Sequence, residues 1–300
     1  MGLAEKVVGY DVFVEKSGIS VPEYRLIEGK LKLKKNGTPK KIVCNAKTGR
    51  SSWVDPIKNV EDIGKIIDYM NMRIENAGRA DYEWQWERNK LYFILAVFSG
   101  FRVSDLVGAR PGTKYKKTNK ETGEIWYEYP RWTGLRWCDL YEKDGVTLKD
   151  VVTVKELKTS KRGGSVARTV KLSNDSKAAI LHYVEKYRPK TNSDDYVFLN
   201  RRKERLHADT VEDFIKEVTE ACGLKGNYST HSIRKTCVYT MYQGLAKKYG
   251  DESAIGKCMR FTGHKSIQAF FSYLGIERDN TGEMMGILEN ELCDVLQGKL

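Results

Sequence analysis

Cysteine is sparse and scattered in this 300-residue chain. Cys44, Cys138, Cys222, Cys237, Cys258 and Cys293 lie far apart, and no Cys-x-x-Cys pair occurs. That spacing supports neither a zinc site nor a disulfide framework and suits reduced thiols. Histidine is scarcer still: His182, His207, His231 and His264 show no metal-ligand spacing, and His-Glu-x-x-His is absent. There is no Gly-x4-Gly-Lys-Ser/Thr phosphate loop, so nothing points to NTP hydrolysis. The longest apolar run, Leu91 to Phe98, falls far short of the ~20 residues of a membrane helix. No charged n-region leads into an apolar h-region, and Lys6 stands where a myristoylation signal wants Ser or Thr. Internal repeats and low-complexity tracts are lacking too. The expectation is a soluble cytoplasmic protein that needs no metal or cofactor.

What the chain has is positive charge. Fifty-two Lys and Arg oppose forty Asp and Glu, a net +12, and the commonest partner of such a surplus is nucleic acid. Between Gly29 and Arg50 there are seven Lys, one Arg and no acid. Here Leu31-Lys32-Leu33-Lys34 alternates, Asn36-Gly37 follows, and Ile42-Val43-Cys44 comes next, a pattern that predicts a hairpin. Residues 1–54 therefore read as a short basic β element. Lys32, Lys34, Lys35, Lys40 and Lys41 are its candidate DNA contacts, the alternative being a solvated arm.

From Asp55 the pattern becomes helical. Ile63, Ile66, Ile67, Met70 and Ile74 recur on one face behind Asn59, a capping residue, and a second helix through Leu91–Phe98 runs into Ser99-Gly100. Residues 111–137 look like a Lys-rich insertion, whose Trp126, Tyr127, Tyr129, Trp132 and Trp137 either stack on bases or stabilise their own loop. Val152-Thr153-Val154 and Val166–Val170 flank a basic, Gly-rich turn and predict a hairpin. Helices are expected around 176–187, 209–221, 232–242 and 252–261, with an extra loop near 246–252. Met284, Ile287, Leu288, Leu292, Val295 and Leu296 form the stripe of a docking helix over about 283–297. The fold class is α+β: a mainly helical domain over 55–300 with a small antiparallel sheet.

Three segments carry the chemistry. Arg102 and Asp105 follow Gly100 at i and i+3 spacing, a guanidinium beside a carboxylate. In Tyr228-Ser229-Thr230-His231-Ser232-Ile233-Arg234, Thr230 reads as an N-cap, putting His231 and Arg234 in the first turns of a helix, where free N–H groups favour phosphate. Third comes Gly263-His264, with Tyr273 nine residues on.

In that order, with a hairpin lysine between the first two, these segments resemble the tyrosine recombinase (phage integrase) family over about residues 55–300. The resemblance implies the DNA breaking-rejoining fold and a metal- and ATP-independent strand exchange through a 3′-phosphotyrosyl intermediate. It implies that Arg102 and Arg234 clamp the scissile phosphate, Tyr273 attacks it, His231 helps take the phenolic proton and His264 donates to the phosphate. Lys158, with Lys161 as its rival, would protonate the leaving 5′ oxygen. Asp105 would brace the arginine site, and Lys161 and Arg162 would touch DNA. Four protomers on two duplexes are implied, with room for an accessory DNA-bending factor, in the integrase or transposase of a mobile element. A type IB topoisomerase and a catalytically silent DNA-binding protein are the rival readings. The chain departs from the family pattern in its short N-terminal segment, the 111–137 insertion and the 246–252 loop.

Overall fold

The structure, a computed structural model, describes residues 26–27, 30–31, 54–109, 113–119, 121–128, 133–155 and 167–275. Backbone contacts divide the chain into two units, 1–54 and 55–300. In the first, β1 (Leu26–Ile27) pairs antiparallel with β2 (Lys30–Leu31). That ladder precedes Asn36-Gly37; the hairpin expected around that step, with Lys32, Lys34, Lys35, Lys40 and Lys41, lies outside the described residues.

The second unit is helical. α1 (Val60–Glu75) starts at Asn59, whose side chain accepts from the Glu61 amide, and buries Ile66 and Met70. α2 (Ala80–Ser99) is the central helix. Trp86, Leu91, Tyr92, Phe93, Leu95 and Ala96 are buried around its circumference, as expected of a helix packed on several sides. It packs against α1, against α5 (Asn174–Tyr187) and against α7 (Thr230–Tyr249). Between them come α3 (Val103–Val107), α4 (Trp137–Leu140) and two antiparallel ladders, β3 (Tyr115–Thr118) with β4 (Ile125–Glu128) and β5 (Val151–Lys155) with β6 (Ala167–Lys171). In β5, Val152 and Val154 point inward while their neighbours face solvent, the period of a half-buried strand. α6 (Ala208–Ala221) closes the main core with Val211, Phe214, Ile215 and Val218. A second, smaller core of Val238, Cys258, Phe270 and Leu274 joins α7 to α8 (Asp251–Thr262) and α9 (Ile267–Leu274).

Three expectations change. α7 runs on to Tyr249 and α8 begins at Asp251, so the loop expected near 246–252 is a break at Gly250 alone. The cap of α7 is Ser229 rather than Thr230; its hydroxyl accepts from the His231 amide, and Thr230 becomes the first helical residue. The insertion ends earlier than 137. Trp137 opens α4 and is 2% exposed, stacked on Tyr183, whereas Trp126 and Tyr127 on β4 are exposed. The centre of the Tyr127 ring lies 4.5 Å from the Lys114 ammonium, a contact within the insertion itself. The docking helix expected at 283–297 lies outside the described residues.

The Arg205 side chain anchors the insertion at its root. The Arg205 guanidinium donates to the Val107 and Thr133 carbonyls, both at 2.9 Å, and to that of Ala109 at 2.8 Å. Gly108 sits inside this clamp at φ +79°, where a Cβ would meet the Thr133 carbonyl oxygen at 2.1 Å. Gly108→Ala is expected to cost about 3 kcal/mol, read as a fall in Tm; an unchanged Tm would show that the clamp yields.

Candidate active site

Four separated segments meet at one tyrosine. α2 ends because Gly100 adopts the left-handed conformation (φ +57°), its amide donating to the Ala96 carbonyl. A Cβ at Gly100 would stand 2.9 Å from Cys237 Sγ, so only glycine lets α7 approach this closely. The turn leaves the Gly100 carbonyl aimed at α7, where Arg234 Nη1 donates to it at 2.5 Å. Arg168 on β6 donates to the same carbonyl and to that of Ser99, both at 3.4 Å, and its guanidinium lies 4.0 Å from the centre of the Phe261 ring. Two residues beyond Gly100, Arg102 is the N-cap of α3. The Asp105 carboxylate, fully buried, accepts from the Arg102 amide at 2.9 Å. Asp105 thus fixes the backbone from which the Arg102 side chain departs.

α7 brings three of the candidate's side chains. Its first turns, Ser232 to Val238, are buried, because here the helix passes between the main core and the smaller one. Arg234 is 2% exposed. His231 meets the Tyr273 ring edge-on, centroids 5.5 Å apart. Lys235 is 3% exposed, with Nζ 5.3 Å from the centre of the Tyr273 ring. α8 ends at Gly263 (φ +80°), which turns the chain and sets His264 4.7 Å from the Tyr273 ring. α9, capped by Ser266, carries Tyr273 on its last turn, pinned by the buried Phe270 and Leu274.

The electrostatics follow from this packing. Burial pushes the Tyr273 phenol up from its ordinary pKa, while the charges of Arg234 and Arg102 oppose the rise by favouring the phenolate. Its hydroxyl oxygen is buried and makes no hydrogen bond of normal geometry. His264 is pulled below the usual imidazole value, first by burial and then by the same two arginines. The pocket therefore disfavours charge of either sign by burial, and the two arginines tilt it against a protonated His264 and partly offset the cost of a Tyr273 phenolate.

Of the residues expected from the sequence, Arg102, Asp105, His231, Arg234, His264 and Tyr273 fall within this neighbourhood, whereas Lys158, Lys161 and Arg162 lie outside the described residues. Two cations beside this neighbourhood, Lys235 and Arg168, carried no motif. Lys235 was signalled only by its place in a run that the helix buries, and Arg168 by a strand period that puts it on the same face as Val170.

The sequence model of the phage integrase family matches residues 74–276, which include all of these side chains. The chain belongs to the phage integrase family. With its mainly helical architecture and small antiparallel sheets, it has the tyrosine recombinase catalytic fold. Among curated proteins, no sequence matches it. Among solved structures it is similar to XerA recombinase (16% identity over 80% of this chain and 69% of that one, TM-score 0.45). It is also similar to XerH site-specific recombinase bound to a palindromic difH substrate (16%, 86% and 62%, TM-score 0.47). A third is the lambda integrase dimer bound to a COC′ core site (16%, 76% and 63%, TM-score 0.41). The chain thus spans under two thirds of the XerH and lambda integrase chains. Among the described residues, no helix is long and apolar enough to cross a membrane, and no group of His, Cys, Asp and Glu is arranged to hold a metal ion.

Proposed function

We propose that this integrase-family chain carries out site-specific DNA recombination, as the integrase or transposase of a mobile element, through a 3′-phosphotyrosyl bond to Tyr273. The observation that carries the reading is the buried Tyr273 hydroxyl lying under the charges of Arg234 and Arg102, with His231 and His264 against its ring. A free phenol is ionised to only about one part in a thousand at neutral pH. Attack on a phosphodiester therefore needs a proton acceptor and a positive field. In the step proposed, Tyr273 Oη bonds to phosphorus while the bond from phosphorus to the 5′ oxygen breaks. The phenolic proton passes to an imidazole, and the leaving oxygen takes one from a lysine, Lys158 by family resemblance. Arg102 and Arg234 neutralise the non-bridging oxygens as charge gathers on them. The phosphotyrosine retains the bond energy, so a 5′ hydroxyl restores the backbone by the reverse step without ATP.

The basic segment 1–54, with Lys161 and Arg162, adds phosphate contacts, and the segment 283–297 docks a neighbouring protomer in a tetramer on two duplexes. An accessory DNA-bending factor fits this arrangement, which works on DNA in the cytoplasm.

The test is adduct capture on a nicked suicide substrate, in which the strand beyond the cleaved bond diffuses away. The expected result is a protein–DNA adduct that mass spectrometry maps to Tyr273 through a 3′ phosphate. It should form equally with EDTA present, because side-chain cations supply the positive field. An adduct through another residue, or activity lost in EDTA and restored by Mg²⁺, would overturn the proposal.

A further inference from the structure

The hydrogens around Thr262 can be counted. Its Oγ1 lies 2.9 Å from the Cys258 carbonyl oxygen, one helical turn back in α8, 3.3 Å from that of Met259, and 2.7 Å from His264 Nδ1. A carbonyl can only accept, and the hydroxyl has one proton to give. If that proton went to His264 Nδ1, the 2.9 Å contact with Cys258 would set two lone pairs against each other. One assignment gives each short contact a hydrogen: Thr262 donates to the Cys258 carbonyl and accepts from Nδ1–H of His264. The backbone holds this geometry, since the Gly263 and His264 amides both donate to the Met259 carbonyl, at 2.8 and 3.2 Å.

We propose that Thr262 is a positioning residue that fixes His264 as the Nδ1–H tautomer, so that Nε2 presents a lone pair in the tyrosine pocket. Family resemblance would have His264 donate to the phosphate. A neutral imidazole held by Thr262 instead accepts, and with its ring 4.7 Å from that of Tyr273 it joins His231 in receiving the phenolic proton. Burial and the two arginines, which hold His264 below the usual imidazole pKa, keep that lone pair available at neutral pH. The hydrogen on Nδ1 stands on the hydrogen count, and the open lone pair on Nε2 adds to it the burial and the two arginines that keep the ring neutral; the part played in proton transfer rests on the function proposed above.

The experiment is two-bond ¹H–¹⁵N correlation NMR on the full chain labelled at histidine, with His264→Gln identifying the resonance among the four histidines. The wild type is expected to show a protonated Nδ1 and an unprotonated Nε2. Thr262→Val, nearly isosteric but without a hydroxyl, should lose that preference, while Thr262→Ser should keep it. On the suicide substrate, Thr262→Val should form adduct at least tenfold more slowly, part of the ~10²–10⁴-fold that positioned proton transfer contributes. Thr262→Ser should stay close to wild type, a rescue that a merely structural role for the methyl group would not give. A protonated Nε2 in the wild type overturns the inference, and so does a Thr262→Val enzyme of unchanged rate. Absence of any adduct from the wild type would overturn the proposed function instead, leaving the tautomer to be judged by its spectrum.

Discussion

Replacing Tyr273 by Phe is expected to abolish adduct formation, a fall on the order of 10⁴-fold or more, the scale on which removing a nucleophile acts. Stability should not fall with it. The ring keeps its contacts with His231, His264 and the Lys235 ammonium, and its seat beside Phe270 and Leu274 is unaltered. The hydroxyl that is lost is buried without a hydrogen bond of normal geometry, so its removal relieves part of the cost of burying it, while Arg234 keeps its bond to the Gly100 carbonyl. Tm is therefore expected to hold or rise slightly. DNA affinity should change less than twofold, because the phosphate is bound by cations and not by the phenol. Rate, Tm and affinity together separate a nucleophile from a packing residue. Residual adduct in Tyr273→Phe would move the chemistry elsewhere, and a large drop in Tm would mean that the hydroxyl is structural.

Much of this arrangement was legible in the sequence because it depends on local rules. Asn59 before an apolar period, Gly100 after one, and β-branched residues around a basic turn each announce an element from its own few residues, and the structure has α1, α2 and the β5–β6 ladder there. The motif residues were legible through the order in which a family presents them. Illegible was whatever depends on how elements meet. Lys235 reads as one more surface lysine until α7 is seen to pass between two cores. Arg205 carries no motif, and only the return of the chain at Thr133 turns it into a clamp. Gly250 looked like part of a longer loop because Ala246 to Glu252 is polar. Yet one glycine at φ +81° is enough to end α7 and begin α8. Thr230 and Ser229 are both good caps by composition. The choice falls to Ser229 because a reciprocal bond, Ser232 Oγ accepting from the Ser229 amide, supports it.

The second large effect is expected at Arg234, and Arg234→Lys isolates it because charge is retained. The guanidinium holds the Gly100 carbonyl with Nη1 and also favours the Tyr273 phenolate by its charge and by hydrogen bonding; an ammonium on a single-point stem cannot serve both from fixed positions. Adduct formation by Arg234→Lys should fall by about 10²–10³-fold, the usual loss when one preorganised donor to a developing oxyanion is removed. Arg234→Ala adds an electrostatic consequence with a definite sign. Above the range in which an imidazole takes the phenolic proton, Tyr273 can also attack as preformed phenolate, so the rate climbs further with pH until Tyr273 is ionised. Burial raises that pKa, and Arg234 is foremost among the groups that lower it. Without Arg234 the pKa rises further, and the climb should extend to higher pH than in the wild type. Arg234→Lys, which keeps a positive charge nearby, should retain much more of the original profile while remaining slow. Identical pH profiles in all three proteins would mean that Arg234 acts on the phosphate alone and leaves the phenol's ionisation untouched. An Arg234→Lys enzyme of wild-type rate would mean that the charge matters and the fork of donors does not.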